Sequence, residues 1–141
     1  PDMRNYPWGT VPDMVDDVMQ SLQWTFKNID KYGGDPNNVV VAGQSAGGHV
    51  VLTALLQMAI KLQEAKPSDS KKSEDGALSL LDENDMWSPQ SIKGFLSLSA
   101  PYNLKAMQTS FTSHGLDDHL ITRIFGNRAN EFDPYQLVMQ C

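Results

Sequence analysis

The sequence predicts an α/β fold, a parallel sheet with flanking helices, and three observations lead to this prediction. Apolar residues recur at helical spacing over residues 11–32, and a short run rich in valine follows over residues 38–43. Helical spacing then returns from residue 45 or 46 to about residue 64, with no hairpin signal between the two elements. A second strand-like run covers residues 92–99. Alternation of helices and strands without hairpins is typical of a parallel sheet.

Local signals support each of these elements. Thr10 is placed to cap the first helix, with Pro12 in its first turn, and the Gly33-Gly34 pair is placed to end it. The strand over residues 38–43 is almost entirely apolar, so we expect it to be buried on both faces. After the second strand we expect an irregular segment, a helix over residues 117–125 and a turn that starts at residues 133–135.

The aromatic and sulfur-containing residues of these helices are expected to be structural. Met14, Met19 and Met58 occupy helical positions that predict core packing. Trp8 and Trp24 are interpreted as core or cap aromatics.

The most informative motif joins the first strand to the second helix and reads Gly-Gln-Ser-Ala-Gly-Gly over residues 43–48. A serine on a sharp strand-to-helix turn is a nucleophile elbow, as in the α/β-hydrolase fold. Because the turn is tight, the residues two before and two after Ser45 must be small, and Gly43 and Gly47 meet that requirement. The amide N–H of Ala46 is then placed to stabilise an oxyanion. The elbow predicts Ser45 as a catalytic nucleophile.

Length and composition limit the other classes of function. The 141 residues allow at most one domain, and the net charge of −6 argues against a nucleic-acid partner. Cys141 is the single cysteine, so no internal disulfide is possible, and three scattered histidines do not form a zinc-binding pattern. We expect no metal and no cofactor. Residues 65–90 are interpreted as a surface insertion, because their first half is polar and charged.

Several further segments resemble the prenylcysteine methylesterase family of α/β-hydrolases. The resemblance covers residues 1–64 and 91–138, and it is carried by segments 2–7, 9–11, 13–15, 32–37, 43–47, 98–99, 102–104 and 113–116. It implies a serine carboxylesterase that forms an acyl-enzyme on Ser45 and hydrolyses prenylcysteine methyl esters at endoplasmic-reticulum or Golgi membranes. The net charge already argues against a nucleic-acid partner, and we expect membrane association only through parts outside this sequence.

Two features of that family are missing from the sequence. The family has a His-Gly-Gly segment that provides a second oxyanion donor, and a triad Asp and His that follow later strands, whereas residues 1–141 contain neither. We therefore expect the chain to be a fragment of one α/β-hydrolase domain, incomplete at both ends. We also expect this chain alone to have negligible esterase activity and marginal stability.

The histidines and one aspartate are given structural roles. His49 lies one helical turn after Ser45, but its side chain leans back below the elbow, so we expect it to bond a loop carbonyl or to line the floor of the site. His114 and His119 are expected to pack at the surface or in the cap, with a role in the substrate pocket as the alternative. Asp35 is expected to stabilise the turn before the first strand. Asp117 and Asp118 next to His119 do not predict an acid–base pair, because adjacent residues on a helix point apart.

Three other functions remain open at this point. An arylformamidase or a general carboxylesterase would keep the serine chemistry and change the substrate. A non-catalytic α/β-hydrolase-like binding module would keep the fold alone.

Overall fold

The computed structural model describes residues 2–64, 87–117 and 119–140. Helix α1 spans Val11–Asn28 and is followed by a 3-10 turn at Ile29–Tyr32; strand β1 spans Val39–Gln44 and helix α2 spans Ala46–Glu64. Strand β2, Ile92–Leu98, follows a short 3-10 segment at Pro89–Ser91. The remaining elements are α3 (Leu104–Ser113), α4 (Leu120–Phe125), a 3-10 stretch at Gly126–Phe132, and α5 (Pro134–Val138).

The first helix and the strand-turn-helix unit form as predicted because their signals are local. The backbone N–H and the hydroxyl of Thr10 each donate to the Asp13 carboxylate at 2.8 Å, which satisfies an orphan donor at the start of α1. Gly33 ends the following 3-10 turn with a φ of 82°, a conformation that glycine adopts without strain.

Strands β1 and β2 pair in parallel, as predicted, but β1 is not buried on both faces. The register places Val40 opposite Gly94 and Gln44 opposite Leu98. Along β1 the side chains alternate between half-buried and exposed, and Val40 is 66% exposed. The expectation of two buried faces is wrong for the described residues, because α2 packs on one face of this sheet and no described element covers the other.

The core lies between α1, α2 and the helices that follow β2. Its members are apolar and nearly inaccessible, and they include Met14, Met19 and Met58, as predicted. For the two tryptophans, the expectation of a core position is wrong. Trp8 is 87% exposed, and Trp24 is about half exposed, with its ring centroid 5.5 Å from that of Tyr32. Both lie outside the layer of side chains that α1 and α2 bury between them.

The segment after β2 is more helical than predicted. Residues 104–113 form α3 where an irregular segment was expected, and the Asn103 side chain caps it by accepting from the Ala106 N–H at 2.9 Å. The helix expected over residues 117–125 begins only at Leu120. The turn expected at residues 133–135 continues into α5, capped by Asp133. Most of the expected insertion, residues 65–86, lies outside the described residues, as do Asp118 and Cys141.

Candidate active site

The elbow at Ser45 has the geometry expected of a strained nucleophile turn. Ser45 connects β1 directly to α2, and its φ of 51° lies in the left-handed region that non-glycine residues rarely adopt. The backbone is held on both sides: the Ser45 N–H donates to the Leu98 carbonyl at 2.8 Å, and the Ser45 carbonyl accepts from the N–H groups of Gly48 and His49. The side chain is exposed and forms no hydrogen bond with the described residues.

The same turn places the Ala46 amide beside the serine. Ala46 is the first residue of α2, so its N–H has no carbonyl partner one turn earlier in the helix. Ala46 is also exposed. A free N–H at a helix N-terminus, next to an exposed hydroxyl, is suited to stabilise negative charge that develops on a substrate oxygen.

The glycines of the elbow differ in what surrounds them. A Cβ atom on Gly43 would lie 2.6 Å from the Cα and N atoms of Gly48, so only glycine fits there. Apart from its chain neighbours and the backbone of its own helix, a Cβ on Gly47 would meet no described atom within 4 Å, which differs from the expected collision. The tight position on the helical side is Gly48, where a Cβ would lie 2.7 Å from the Ala100 Cβ. The strand-to-helix crossing is therefore closed by Gly43 against Gly48.

The segment after β2 forms the wall next to the elbow. The sequence indicated a family resemblance in residues 98–99 and 102–104, but not a position for them beside Ser45. Ala100 packs against Gly48, and the hydroxyl of Tyr102 donates to Ser97 Oγ. The parallel register, in which Gln44 lies opposite Leu98, brings this segment to the carboxyl edge of the sheet beside Ser45. This position could be predicted only from the register of the two strands, which places the end of β2 opposite the end of β1.

His49 lies below the elbow and holds the loops around it. The residue is 3% exposed, with Nδ1 2.6 Å from the Pro101 carbonyl oxygen and Nε2 2.9 Å from the Phe132 carbonyl oxygen. Burial lowers the pKa of His49 below its ordinary value of 6.5, while the two carbonyls and the Asp133 carboxylate act in the opposite direction. The prediction that His49 bonds a loop carbonyl is confirmed. Each ring nitrogen faces a carbonyl oxygen, and a neutral ring donates its one N–H to one of the two.

The remaining predicted residues lie apart from the elbow or at its rim. Gln44 is exposed at the end of β1. Asp35 accepts from the Asn37 N–H at 2.9 Å, so its predicted role in the turn before β1 is confirmed. His114 ends α3, where its Nδ1 lies 2.7 Å from the Ser110 carbonyl oxygen, and His119 precedes α4, with its N–H donating to Asp117.

Within residues 2–64, 87–117 and 119–140, no group of three or more histidine, cysteine or acidic side chains is arranged to hold a metal ion. In the same ranges, none of the helices is both long and apolar enough to cross a membrane.

Fold and site together define the class of protein, and comparison with known families agrees. Residues 1–124 match a family described as having the alpha/beta hydrolase fold, so the chain belongs to this family of α/β-hydrolases. The predicted fold class and the family resemblance are confirmed.

Among curated proteins, the chain is similar to plant methylesterases and mycobacterial esterases. It is 36% identical over 115 residues to the isoprenylcysteine alpha-carbonyl methylesterase of Arabidopsis thaliana. The aligned residues cover 82% of the chain and 23% of that protein. It is 31% identical over 141 residues to a second Arabidopsis protein, named as a probable methylesterase of the same type, covering 99% of the chain and 26% of that protein. Esterase LipC of Mycobacterium tuberculosis is 35% identical over 91 residues, which is 64% of the chain and 22% of LipC.

These alignments also set the extent of the likeness. The chain spans about a quarter of the length of the curated methylesterases it matches. No solved structure gives a significant match.

Proposed function

We propose that this chain carries the nucleophile of a serine carboxylesterase, and that Ser45 is that nucleophile. The observation that carries the proposal is the strained backbone at Ser45, with φ at 51°, between strand β1 and helix α2. A left-handed conformation costs a non-glycine residue about 1–2 kcal/mol, so strain at an exposed serine suggests a functional use of its hydroxyl group. The esterase names of the similar proteins support the same chemistry.

In the proposed reaction, Ser45 Oγ attacks the ester carbonyl carbon and its proton passes to a general base. The carbonyl oxygen becomes negative, and the Ala46 N–H donates to it. Collapse of this intermediate breaks the bond to the alkoxy group, which leaves as an alcohol after it takes up a proton. Water then attacks the acyl-enzyme, which releases a carboxylic acid and restores the Ser45 hydroxyl.

The general base in this proposal is a histidine other than His49. Both ring nitrogens of His49 lie within 3 Å of backbone carbonyl oxygens, so neither is free to accept the Ser45 proton. A serine without its base loses several orders of magnitude in rate. We therefore also propose that residues 1–141 alone have negligible esterase activity.

The substrate we propose is the methyl ester of a prenylated cysteine. The support is the identity of 31–36% to proteins named as isoprenylcysteine alpha-carbonyl methylesterases. The products would be methanol and the free prenylcysteine carboxylate. As part of the same proposal, the reaction takes place at endoplasmic-reticulum or Golgi membranes, where the family resemblance implies it.

A general carboxylesterase is the second candidate, because the chain is also 35% identical to esterase LipC. The two candidates share Ser45 and differ in the acyl group that they prefer. Activity on simple esters alone would favour the second candidate.

The test uses the purified full-length gene product and its Ser45→Ala variant. The substrates are N-acetyl-S-farnesylcysteine methyl ester and p-nitrophenyl acetate, with methanol or p-nitrophenol release as the measurement. We expect kcat/KM to favour the farnesylcysteine ester and Ser45→Ala to abolish both activities. Hydrolysis that persists in Ser45→Ala, or an enzyme inactive on both esters, would refute the proposal.

A further inference from the structure

A second residue in the described chain has the same unusual backbone as Ser45. Ser99 has a φ of 52°, and Ser45 and Ser99 are the two non-glycine residues of the described ranges with positive φ. Both are serines, and both directly follow a strand. Glycine adopts this conformation without strain, whereas any residue with a Cβ is destabilised there. A serine at position 99 therefore requires its own explanation.

The strand register places Ser99 beside the nucleophile. Gln44 lies opposite Leu98 in the parallel pair, and the Ser45 N–H donates to the Leu98 carbonyl at 2.8 Å. Backbone pairing therefore continues past the end of β1. Ser45 directly follows β1, and Ser99 directly follows the neighbouring strand β2. Substrates of open α/β sheets bind at this carboxyl edge.

The residues on either side of Ser99 are fixed by packing, while Ser99 itself is not. Ser97 Oγ accepts from the Tyr102 hydroxyl, Ala100 packs against Gly48, and the Pro101 carbonyl lies 2.6 Å from His49 Nδ1. The Ser99 side chain is exposed and forms no hydrogen bond with the described residues. These contacts explain the direction of the backbone at Ser99, but they leave its hydroxyl group without a structural role.

We propose that the Ser99 hydroxyl group contacts the substrate and selects esters that carry an amide next to the scissile carbonyl. This inference rests on the proposed function. In an N-acylated cysteine methyl ester, the α-amide N–H is attached one carbon away from the carbonyl that Ser45 attacks. Ser99 directly follows β2, the strand that pairs with β1 next to Ser45. Its Oγ is therefore placed to accept a hydrogen bond from that N–H. One such bond changes kcat/KM by about tenfold or less.

The test compares two methyl esters that differ only in the α-amide. These are N-acetyl-S-farnesylcysteine methyl ester and methyl 3-(farnesylthio)propionate, assayed with the full-length gene product. Ser99→Ala keeps the Cβ and removes the hydroxyl, Ser99→Gly also removes the strain, and Ser91→Ala changes an exposed serine just before the opposite end of β2.

We expect Ser99→Ala and Ser99→Gly to lower kcat/KM about tenfold for the amide-containing ester and less than twofold for the propionate. Ser99→Gly should also unfold at a higher urea concentration than Ser99→Ala, and Ser91→Ala should behave as the wild type. If the Ser99 variants lose kcat/KM equally on both esters, or on neither, the inference is overturned. The proposed function still stands in that case, provided that the wild-type enzyme is active. A wild-type enzyme inactive on both esters would overturn both.

Discussion

Gly43→Ala tests the closest approach in the elbow. The new methyl group would lie 2.6 Å from two backbone atoms of Gly48, and ordinary carbon contacts begin near 3.4 Å, so β1 and α2 must separate by close to 1 Å. Such overpacking costs about 1–3 kcal/mol of unfolding free energy. Because Ser45 joins these two elements, its hydroxyl would move with them. A displacement of about 1 Å at a reacting group lowers kcat about 100-fold.

The assay combines urea denaturation with steady-state hydrolysis of p-nitrophenyl acetate by the full-length gene product. Gly47→Ala is the matched control, because it adds the same methyl group two residues after Ser45, where it would meet no described atom within 4 Å other than its chain neighbours and the backbone of its own helix. We expect Gly47→Ala to retain stability and most activity. The reasoning is wrong if Gly43→Ala is as stable and as active as Gly47→Ala.

Three other predictions concern single residues. Ser45→Gly and Ser45→Ala should both be inactive, but Ser45→Gly should be about 1 kcal/mol more stable in urea because it relieves the positive φ; equal stability would argue against strain. Burial lowers the pKa of His49 in the folded chain. As the pH falls, His49 is therefore protonated near pH 6.5 in the unfolded chain, but only at lower pH in the folded chain. Stability should therefore fall as pH drops below about 6.5, and His49→Gln should lose this part of the pH dependence in thermal melts; an unchanged profile would contradict it. Asp133 accepts from the Tyr135 N–H at 3.1 Å and from the Leu104 N–H at 3.3 Å. Asp133→Ala should therefore lower the free energy of unfolding, measured in urea, by about 1–2 kcal/mol, and Asp133→Asn should lower it less. Equal losses in the two variants would exclude the capping role.

The features that the sequence could predict are those with local signals. The elbow needs only a strand, a serine between small residues and a helix, and all of these lie within residues 39–64. The first helix likewise carries its own start signal at Thr10, and Gly33 ends the 3-10 turn that follows it. For this reason, the position of Ser45 and the order of the first three elements followed from the sequence.

The features that were missed depend on distant contacts. The two carbonyls that bond His49 belong to residues 52 and 83 positions later in the chain, and the atom nearest to a Cβ on Gly48 belongs to Ala100. The strain at Ser99 has no signal of its own, because it results from how the chain packs after β2. Helix α3 is an exception, because its signal is local: Asn103 caps it, and Leu104, Met107 and Phe111 follow at helical spacing.

The exposed face of β1 illustrates a different limit. An apolar run such as Val39-Val40-Val41 indicates that a strand can be buried, but not which elements cover it. In the described structure α2 packs on one face only. Coverage of a sheet is a property of the tertiary arrangement, so a strand's own composition does not determine it.

Covalent labelling of the full-length gene product with a fluorophosphonate, followed by peptide mass mapping, is the most direct measurement of whether Ser45 is an activated nucleophile. We expect one phosphonyl adduct, on Ser45, and none on Ser99 or in the Ser45→Ala variant. A folded protein that takes up no label, or that is labelled at another serine while Ser45 stays unmodified, would contradict the central claim.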